Sequence, residues 1–70
     1  MIVYELTVKN SHSSFNKVVD DRNLLRKLSE EVIFVCEEEE DYHSEIKINL
    51  WYDGKIIKSV LYNFDNKEWI

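Results

Sequence analysis

The chain lacks the residues on which several classes of protein depend. Its single cysteine, Cys36, cannot form an internal disulfide, which excludes a disulfide-stapled secreted mini-protein. Its single glycine, Gly54, leaves no glycine-rich loop to cradle a phosphate. No apolar run approaches the roughly 18 residues of a membrane span, and residues 1–5 have neither the basic segment nor the unbroken apolar stretch of a signal peptide. We therefore expect a cytoplasmic protein that does not enter a membrane.

Positive charge is also scarce. Lys and Arg total 9 against 14 Asp and Glu, which gives a formal net charge of −5 and a pI near 4.9. A protein that binds nucleic acid by electrostatics needs a basic face to replace the counterions around the phosphates. The composition therefore predicts that this chain does not bind nucleic acid directly.

What is present fits one small folded domain. Seventy residues, 44% of them hydrophobic, suit a single domain over 1–70 and leave no room for a second. A domain of this size buries only about 60% of the surface that its unfolded chain exposes, so a large enclosed substrate cleft is not expected. No catalytic motif stands out, and we expect a non-enzymatic protein without a cofactor.

Residue usage points to an AT-rich genome, such as that of a low-GC bacterium or of its phages and plasmids. Ala and Pro are absent and Arg occurs twice, whereas Ile, Asn and Lys occur 7, 6 and 7 times. In size, acidity and codon-biased composition the chain resembles small phage or mobile-element proteins that inhibit host defence or nucleic-acid enzymes. The likeness is compositional and transfers no residue.

Hydrophobic periodicity predicts one helix and several strands. Asp20 is a plausible N-cap for a helix over about 20–30, in which Leu24, Leu25 and Leu28 form an apolar stripe. An earlier start at Ser14 also has helical spacing. Alternating or continuous apolar residues predict strands at 2–9, 31–37, 44–52 and 55–64, a polar loop at 10–14, and a short final strand near 67–70.

Asp53-Gly54 is the strongest local signal, because a two-residue type I′ turn needs positive φ at both central positions. A simple two-residue turn pairs Tyr52 with Lys55 and keeps Ile56, Val60 and Tyr62 on the face opposite Ile46 and Ile48. A three-residue loop with a bulge would move those three side chains to the face of Ile46 and Ile48. Together the elements predict an α+β fold: a small single domain of order β-α-β-β-β, with a mostly antiparallel sheet and one helix packed on one face.

The distribution of charge is the most informative feature. Residues 1–36 and 46–70 carry nearly balanced charge, so the net charge of the chain comes from 37–45, which holds six acids and no base. We interpret this run as a hairpin loop. It either serves solubility or forms an acidic prong that docks on a basic surface and competes there with phosphates. Metal binding is not expected, because the run lacks the ligand alternation and the glycine of a calcium loop. The candidate acidic residues are Glu37, Glu38, Glu39, Glu40, Asp41 and Glu45.

Aromatic residues concentrate in the last third of the chain. Packing on the sheet is one interpretation, and anchoring of a protein partner is the other, because Trp and Tyr are enriched in interface hot spots. The group consists of Trp51, Tyr52, Tyr62, Phe64 and Trp69. The candidate aromatic contacts are Trp51 and Tyr62 from this group, and Tyr42.

His12, His43 and Cys36 are the remaining residues with potential chemistry. No second ligand lies at metal-binding spacing from either histidine, and Cys36 lies inside an apolar segment. We expect ordinary histidines and a buried, inert thiol.

These observations favour a small acidic binding protein, an inhibitor of the anti-defence type encoded by a phage or a mobile element. It would dock on a basic, nucleic-acid-binding host protein through its acidic loop. Two alternatives stay open: a structural or assembly module that forms a homodimer through its aromatic sheet face, and an antitoxin or immunity protein that neutralises a basic toxin.

Overall fold

In the part of the chain that the structure describes, five antiparallel strands form one sheet, and one helix packs on one of its faces. The computed structural model describes residues 1–10 and 14–70. The predicted α+β class, with a mostly antiparallel sheet and one helix in a small single domain, is confirmed. His12 and most of the predicted loop at 10–14 lie outside the described residues. The elements are β1 (Ile2–Lys9), β2 (Ser14–Val19), α1 (Arg22–Glu38), β3 (Glu45–Tyr52), β4 (Lys55–Asn63) and β5 (Glu68–Trp69). The order of the strands in the sheet is β2-β1-β3-β4-β5.

The predicted strand at 31–37 is wrong, because these residues continue α1 to Glu38. The apolar residues of this segment alternate as in a strand, but they also fit the spacing of a helix. Apolar residues recur every three or four positions at Leu25, Leu28, Val32 and Cys36. All four side chains belong to the core cluster or pack against it. Burial of this longer apolar stripe outweighs the β propensity of the segment, as tertiary packing commonly does.

The start of the helix and the segment before it also differ from expectation. Asp21, one residue after the predicted cap, is the N-cap, and its carboxylate accepts a hydrogen bond of 2.8 Å from the backbone N–H of Asn23. The alternative helical start at Ser14 is wrong as well, because Ser14 begins strand β2, which pairs with β1 along its whole length.

The turn between β3 and β4 is confirmed. Asp53 and Gly54 have φ of +53° and +79°, and Tyr52 pairs with Lys55. The pairing of β3 with β4 follows the simple-turn register next to the turn and the shifted register beyond it, because a bulge lies between Leu50 and Trp51. Trp51 therefore pairs with Ile56, as the simple turn requires, whereas Ile48 pairs with Val60, as the shifted register requires.

The core lies between the helix and the covered face of the sheet. Leu6 and Ile46 are fully buried at neighbouring central strands, and Val8, Ile48 and Cys36 complete the cluster. Helix residues pack onto this cluster from one side, and the side chains of the β4–β5 end close it. Among the described residues, no helix has both the length and the apolar character to cross a membrane.

The opposite face of the sheet has no helix over it and is organised around Glu5. The Glu5 carboxylate accepts hydrogen bonds from Asn49 Nδ2 and Trp51 Nε1, each at 3.0 Å, and from Asn16 Nδ2. Ser59 Oγ donates to Asn49 Oδ1 at 2.6 Å. The bond from Trp51, followed by that from Asn49, lowers the pKa of Glu5 against the opposing effect of burial. The network links four strands through one ionised carboxylate.

Candidate functional site

The acidic run does not form a hairpin prong, because no strand precedes it. Glu37 and Glu38 are the last two residues of α1, Glu39 is its C-cap, and Glu40 and Asp41 follow in the turn toward β3. We call residues 37–41 the acidic end. Glu45 lies apart from them at the start of β3.

The backbone of the acidic end closes the helix in a Schellman arrangement. Glu40 has φ of +54°, the N–H of Asp41 donates to the carbonyl of Cys36 at 2.8 Å, and the N–H of Glu40 donates to that of Glu37 at 3.2 Å. Glycine is the residue that ordinarily occupies the left-handed position of this motif, and here a glutamate occupies it. The helix thus ends in a defined turn at a conformational cost.

Apart from the N-cap Asp21, the charges of α1 run against its dipole. The first turn contains no acid and the last turn contains no base. The helix instead carries Arg22, Arg26 and Lys27 near its start, whereas its end carries the acidic end. Because the C-terminus of a helix bears a partial negative charge, acids there are destabilising, each by about 0.3–1 kcal/mol at exposed sites.

Solvent exposure divides the six predicted acids. Glu38, Glu39, Glu40 and Glu45 are exposed, whereas Glu37 and Asp41 are half-buried. The Asp41 carboxylate accepts a hydrogen bond of 2.8 Å from Ser44 Oγ, which fixes the turn that follows the helix. Three consecutive carboxylates, those of Glu38 to Glu40, are therefore available to a partner at one place.

Two of the three predicted aromatic contacts are brought together beside the acidic end. Tyr42 is 54% exposed, and its ring lies edge-on to that of Phe64 with a centroid distance of 5.7 Å. The ring of Tyr62 contacts the same Phe64 at 5.1 Å and that of Trp69 at 5.2 Å. Trp51 is not part of this group, because it lies on the other face of the sheet and donates to Glu5.

Three of these aromatic residues, Tyr42, Tyr62 and Phe64, line an open cleft of about 480 Å³, which we call the aromatic cleft. Leu61 and Ile70 form part of its wall and are 43% and 68% exposed. Ile70 is held against β4 by two backbone hydrogen bonds with Leu61, of 2.8 and 2.9 Å. Tyr42 belongs both to the cleft and to the turn after the acidic end, so the two features adjoin. Phe64 belongs to the aromatic group predicted in the last third of the chain but not to the candidate contacts. Ile70 was missed as a site residue, because only the fold brings the end of the chain to Tyr42.

Cys36 and His43, the remaining candidates for chemistry that the structure describes, show no sign of a reactive site. Cys36 is buried, and burial raises the pKa of its thiol against the opposing effect of a hydrogen bond with Ser44. The protonated thiol is therefore favoured at neutral pH, as expected for a structural cysteine. His43 is exposed. Within residues 1–10 and 14–70, no three His, Cys, Asp or Glu side chains are grouped so as to hold a metal ion.

Comparison of the chain with protein-family models, with curated proteins and with solved structures finds no significant match. An exposed group of carboxylates beside an aromatic cleft can attract a cationic surface and offer it an apolar pocket.

Proposed function

We propose that this chain is a non-enzymatic binding protein that docks on a basic protein surface through the acidic end and the aromatic cleft. In its specific form, the proposal is an inhibitor of the anti-defence type, carried by a phage or a mobile element, whose target is a nucleic-acid-binding protein of the host cytoplasm. The observation that carries the proposal is the concentration of acids at the end of α1 where the helix dipole opposes them.

The first step of the argument concerns stability. Small domains commonly hold only a few kcal/mol of stability, so several unfavourable charges at one helix end are a substantial fraction of it. Solubility requires no such concentration, because the same acids spread over other exposed positions would keep the net charge of −5. A binding role accounts for the concentration of charge, because a partner surface would offset the repulsion.

The second step concerns the contribution of the cleft. Exposed carboxylates accelerate encounter with a basic surface and select among partners, but solvated ion pairs at a rim add little affinity. Affinity comes mainly from apolar and aromatic side chains that are desolvated at the centre of an interface. The aromatic cleft, with the exposed Tyr42 and Ile70 at its edge, supplies such a centre next to the charges.

The third step concerns the class of partner. Strongly basic protein surfaces are typical of proteins that bind the phosphates of nucleic acids. Three adjacent carboxylates on a rigid turn would occupy such a surface in place of phosphates. We therefore expect DNA or RNA to compete with this chain for the same surface.

The test begins with capture of the partner from the source cell at low and at high salt, followed by association kinetics with the purified partner. Replacement of Glu38, Glu39 and Glu40 by Gln removes three charges and preserves side-chain size. We expect association at low salt to slow by tenfold or more, and the wild-type rate to fall steeply as salt rises. The partner should be basic, and a nucleic acid that it binds should displace this chain.

The matched control removes three charges from other exposed positions: Asp20→Asn, Asp53→Asn and Glu68→Gln. This variant has the same net charge as the first, so an equal loss of rate in both would attribute the effect to overall charge and contradict a local docking site. Equal rates for wild type and the first variant, without salt dependence, would reject the role of the acidic end. A basic partner with toxin activity would identify the chain as a neutraliser of the antitoxin or immunity type.

A further inference from the structure

The outward side of α1 carries apolar side chains that no other element covers. Phe34 is 64% exposed and Val35 is 50% exposed. At 100° per residue, Phe34 lies on the side of the helix opposite Leu25 and Cys36, which face the sheet. In a domain with so small a core, a large aromatic side chain in this position indicates a contact surface.

The charges on the same side of the helix have a fixed order. Lys27, Glu31, Phe34 and Glu38 follow one another at spacings of three or four residues, so they lie along one stripe. The stripe is positive at its start and negative at its end, with Phe34 between the two. Rotation by 180° about an axis through the middle of the stripe exchanges its positive and negative ends, so the stripe is complementary to itself.

We propose that the outward side of α1 is the interface of a homodimer, in which the helices of two copies pack antiparallel across a twofold axis. A twofold interface pairs the same patch from both subunits, so a residue at one end must complement a residue at the other. Lys27 of each copy then lies opposite Glu38 of the partner subunit. A parallel arrangement would place like charges together, which costs energy.

The spacing along the helix supports this arrangement. Lys27 and Glu38 are separated by about 16 Å along the axis at a rise of 1.5 Å per residue. The midpoint between Lys27 and Glu38 falls between Val32 and Ile33, close to Phe34. The Phe34 rings of the two copies are therefore offset by only about 5 Å along the helix axis. This offset is within the range of contact between aromatic rings. Glu31 is the acid nearest the midpoint, so the Glu31 carboxylates of the two copies repel each other. Lys27 lies one turn away on the same helix, and its positive charge reduces this repulsion.

The dimer leaves the aromatic cleft free, because no residue that lines the cleft belongs to α1. The dimer uses Glu38 of the acidic end and leaves Glu39, Glu40 and the aromatic cleft to a basic partner. Its evidence is the pattern on the outward side of α1, so the dimer does not depend on the proposed function.

The experiment uses charge reversal and sedimentation equilibrium of the full chain. Lys27→Glu and Glu38→Lys each place like charges opposite each other in the homodimer, and we expect each to raise the dimer dissociation constant by tenfold or more. Mixing the two variants restores both opposite-charge contacts in a heterodimer, as does combining both changes in one chain. Phe34→Ser should make the chain monomeric while leaving its circular dichroism spectrum unchanged, since Phe34 is 64% exposed and lies outside the core.

Other outcomes would overturn the proposal. A wild type that stays monomeric from micromolar to millimolar concentration excludes the dimer. A dimer that persists equally in all three single variants lies on another surface, such as the uncovered sheet face. Recovery in the mixture distinguishes a specific contact from loss of folding, which circular dichroism of each variant checks directly. Slower binding to the basic partner by Phe34→Ser would contradict the independence of the two surfaces.

Discussion

The two ends of strand β3 are connected in contrasting ways. At its C-terminal end, the turn to β4 places Asp53 and Gly54 at positive φ, the residue types that tolerate this backbone. At its N-terminal end, the connection from α1 places Glu40 at positive φ and crowds acids at the negative end of the helix dipole. The residues of the first connection suit its backbone conformation. The second connection places a glutamate in the left-handed conformation and acids at the negative end of the helix dipole, and both arrangements are unfavourable. Departures of this kind concentrate at functional sites, which is why we place the docking surface at the second connection.

The hairpin end of β3 is also anchored to its neighbours by side chains. Asn49 and Trp51 both donate to Glu5 on β1, and Asn49 accepts from Ser59 on β4. At the acidic end, the side-chain bond from Ser44 to Asp41 stabilises the turn only locally, because its partners are three residues apart. We therefore expect the hairpin end to contribute more to stability and the acidic end to contribute more to binding.

The largest effect is expected from Glu5→Gln, which weakens the anchoring of the hairpin end. The neutral side chain keeps the shape, but it replaces a charged acceptor by a weaker one and turns an amide toward the donors of Trp51 and Asn49. We expect a loss of about 2 kcal/mol of stability and a fall in Tm of roughly 10 °C at pH 7, measured by thermal denaturation. An unchanged Tm would show that the network does not stabilise the sheet.

The same variant has a defined pH dependence. Because the folded protein lowers the pKa of Glu5 below its ordinary value of 4.5, the ionised carboxylate stabilises the fold fully above that value. As the pH falls through the lowered pKa, protonation removes this contribution. The difference in stability between wild type and Glu5→Gln should therefore be constant near neutrality and shrink below about pH 4.5. A difference that grows in acid would contradict the assignment of the carboxylate as ionised.

A smaller loss is expected from Gly54→Val, which places a β-branched residue at a φ of +79°. No atom lies within 4 Å of the added Cβ, so the cost comes from backbone conformation and not from a clash. We expect about 1–2 kcal/mol of destabilisation, against a much smaller loss for Gly54→Asn, since Asn tolerates the left-handed region. Chemical denaturation of both variants measures the difference. Equal losses would mean that the presence of any side chain at position 54, and not the backbone preference of Val, causes the destabilisation.

Local signals in the sequence predict the turn at the hairpin end and the strands on either side of it, but they do not predict the bulge between Leu50 and Trp51. Asp53-Gly54 and the alternation in β1 and β3 depend on neighbouring residues alone, so their assignments agree with the fold. The segment at 31–37 satisfies both strand and helix periodicity, and only packing of Val32 and Cys36 onto the sheet decides between them. Placement of the acidic end at a helix terminus, in place of a hairpin loop, depends on that decision.

The candidate site follows the same rule. Its charged half was recognisable, because a run of acids is visible in any fold. Its aromatic half was recognised only in part, since Tyr42 and Tyr62 meet through Phe64, far away in the sequence from Tyr42. Trp51 lies apart from Tyr62 because the bulge between Leu50 and Trp51 moves Tyr62 to the opposite face of the sheet, and no local pattern in the sequence encodes that bulge.

The smallest effect, and the sharpest test of the comparison, is expected from Glu40→Gly. Relief of the left-handed strain, about 1–2 kcal/mol for a residue with a Cβ, exceeds the entropic cost of glycine, so we expect a net gain of about 0.5–1 kcal/mol. Removing glycine from position 54 and introducing it at position 40 should thus change the free energy of unfolding in opposite directions. Chemical denaturation measures both changes.

Glu40→Gln is the matched control, because it removes the same charge and keeps the strained backbone. It should stabilise by less than Glu40→Gly, and the difference between the two variants isolates the backbone contribution. Both should associate with a basic partner more slowly than wild type and at rates similar to each other, because both lack one carboxylate. A higher Tm combined with slower association is the result that a binding role for the acidic end requires. A variant that gains stability and binds as fast as wild type would leave Glu40 without a function to account for its position.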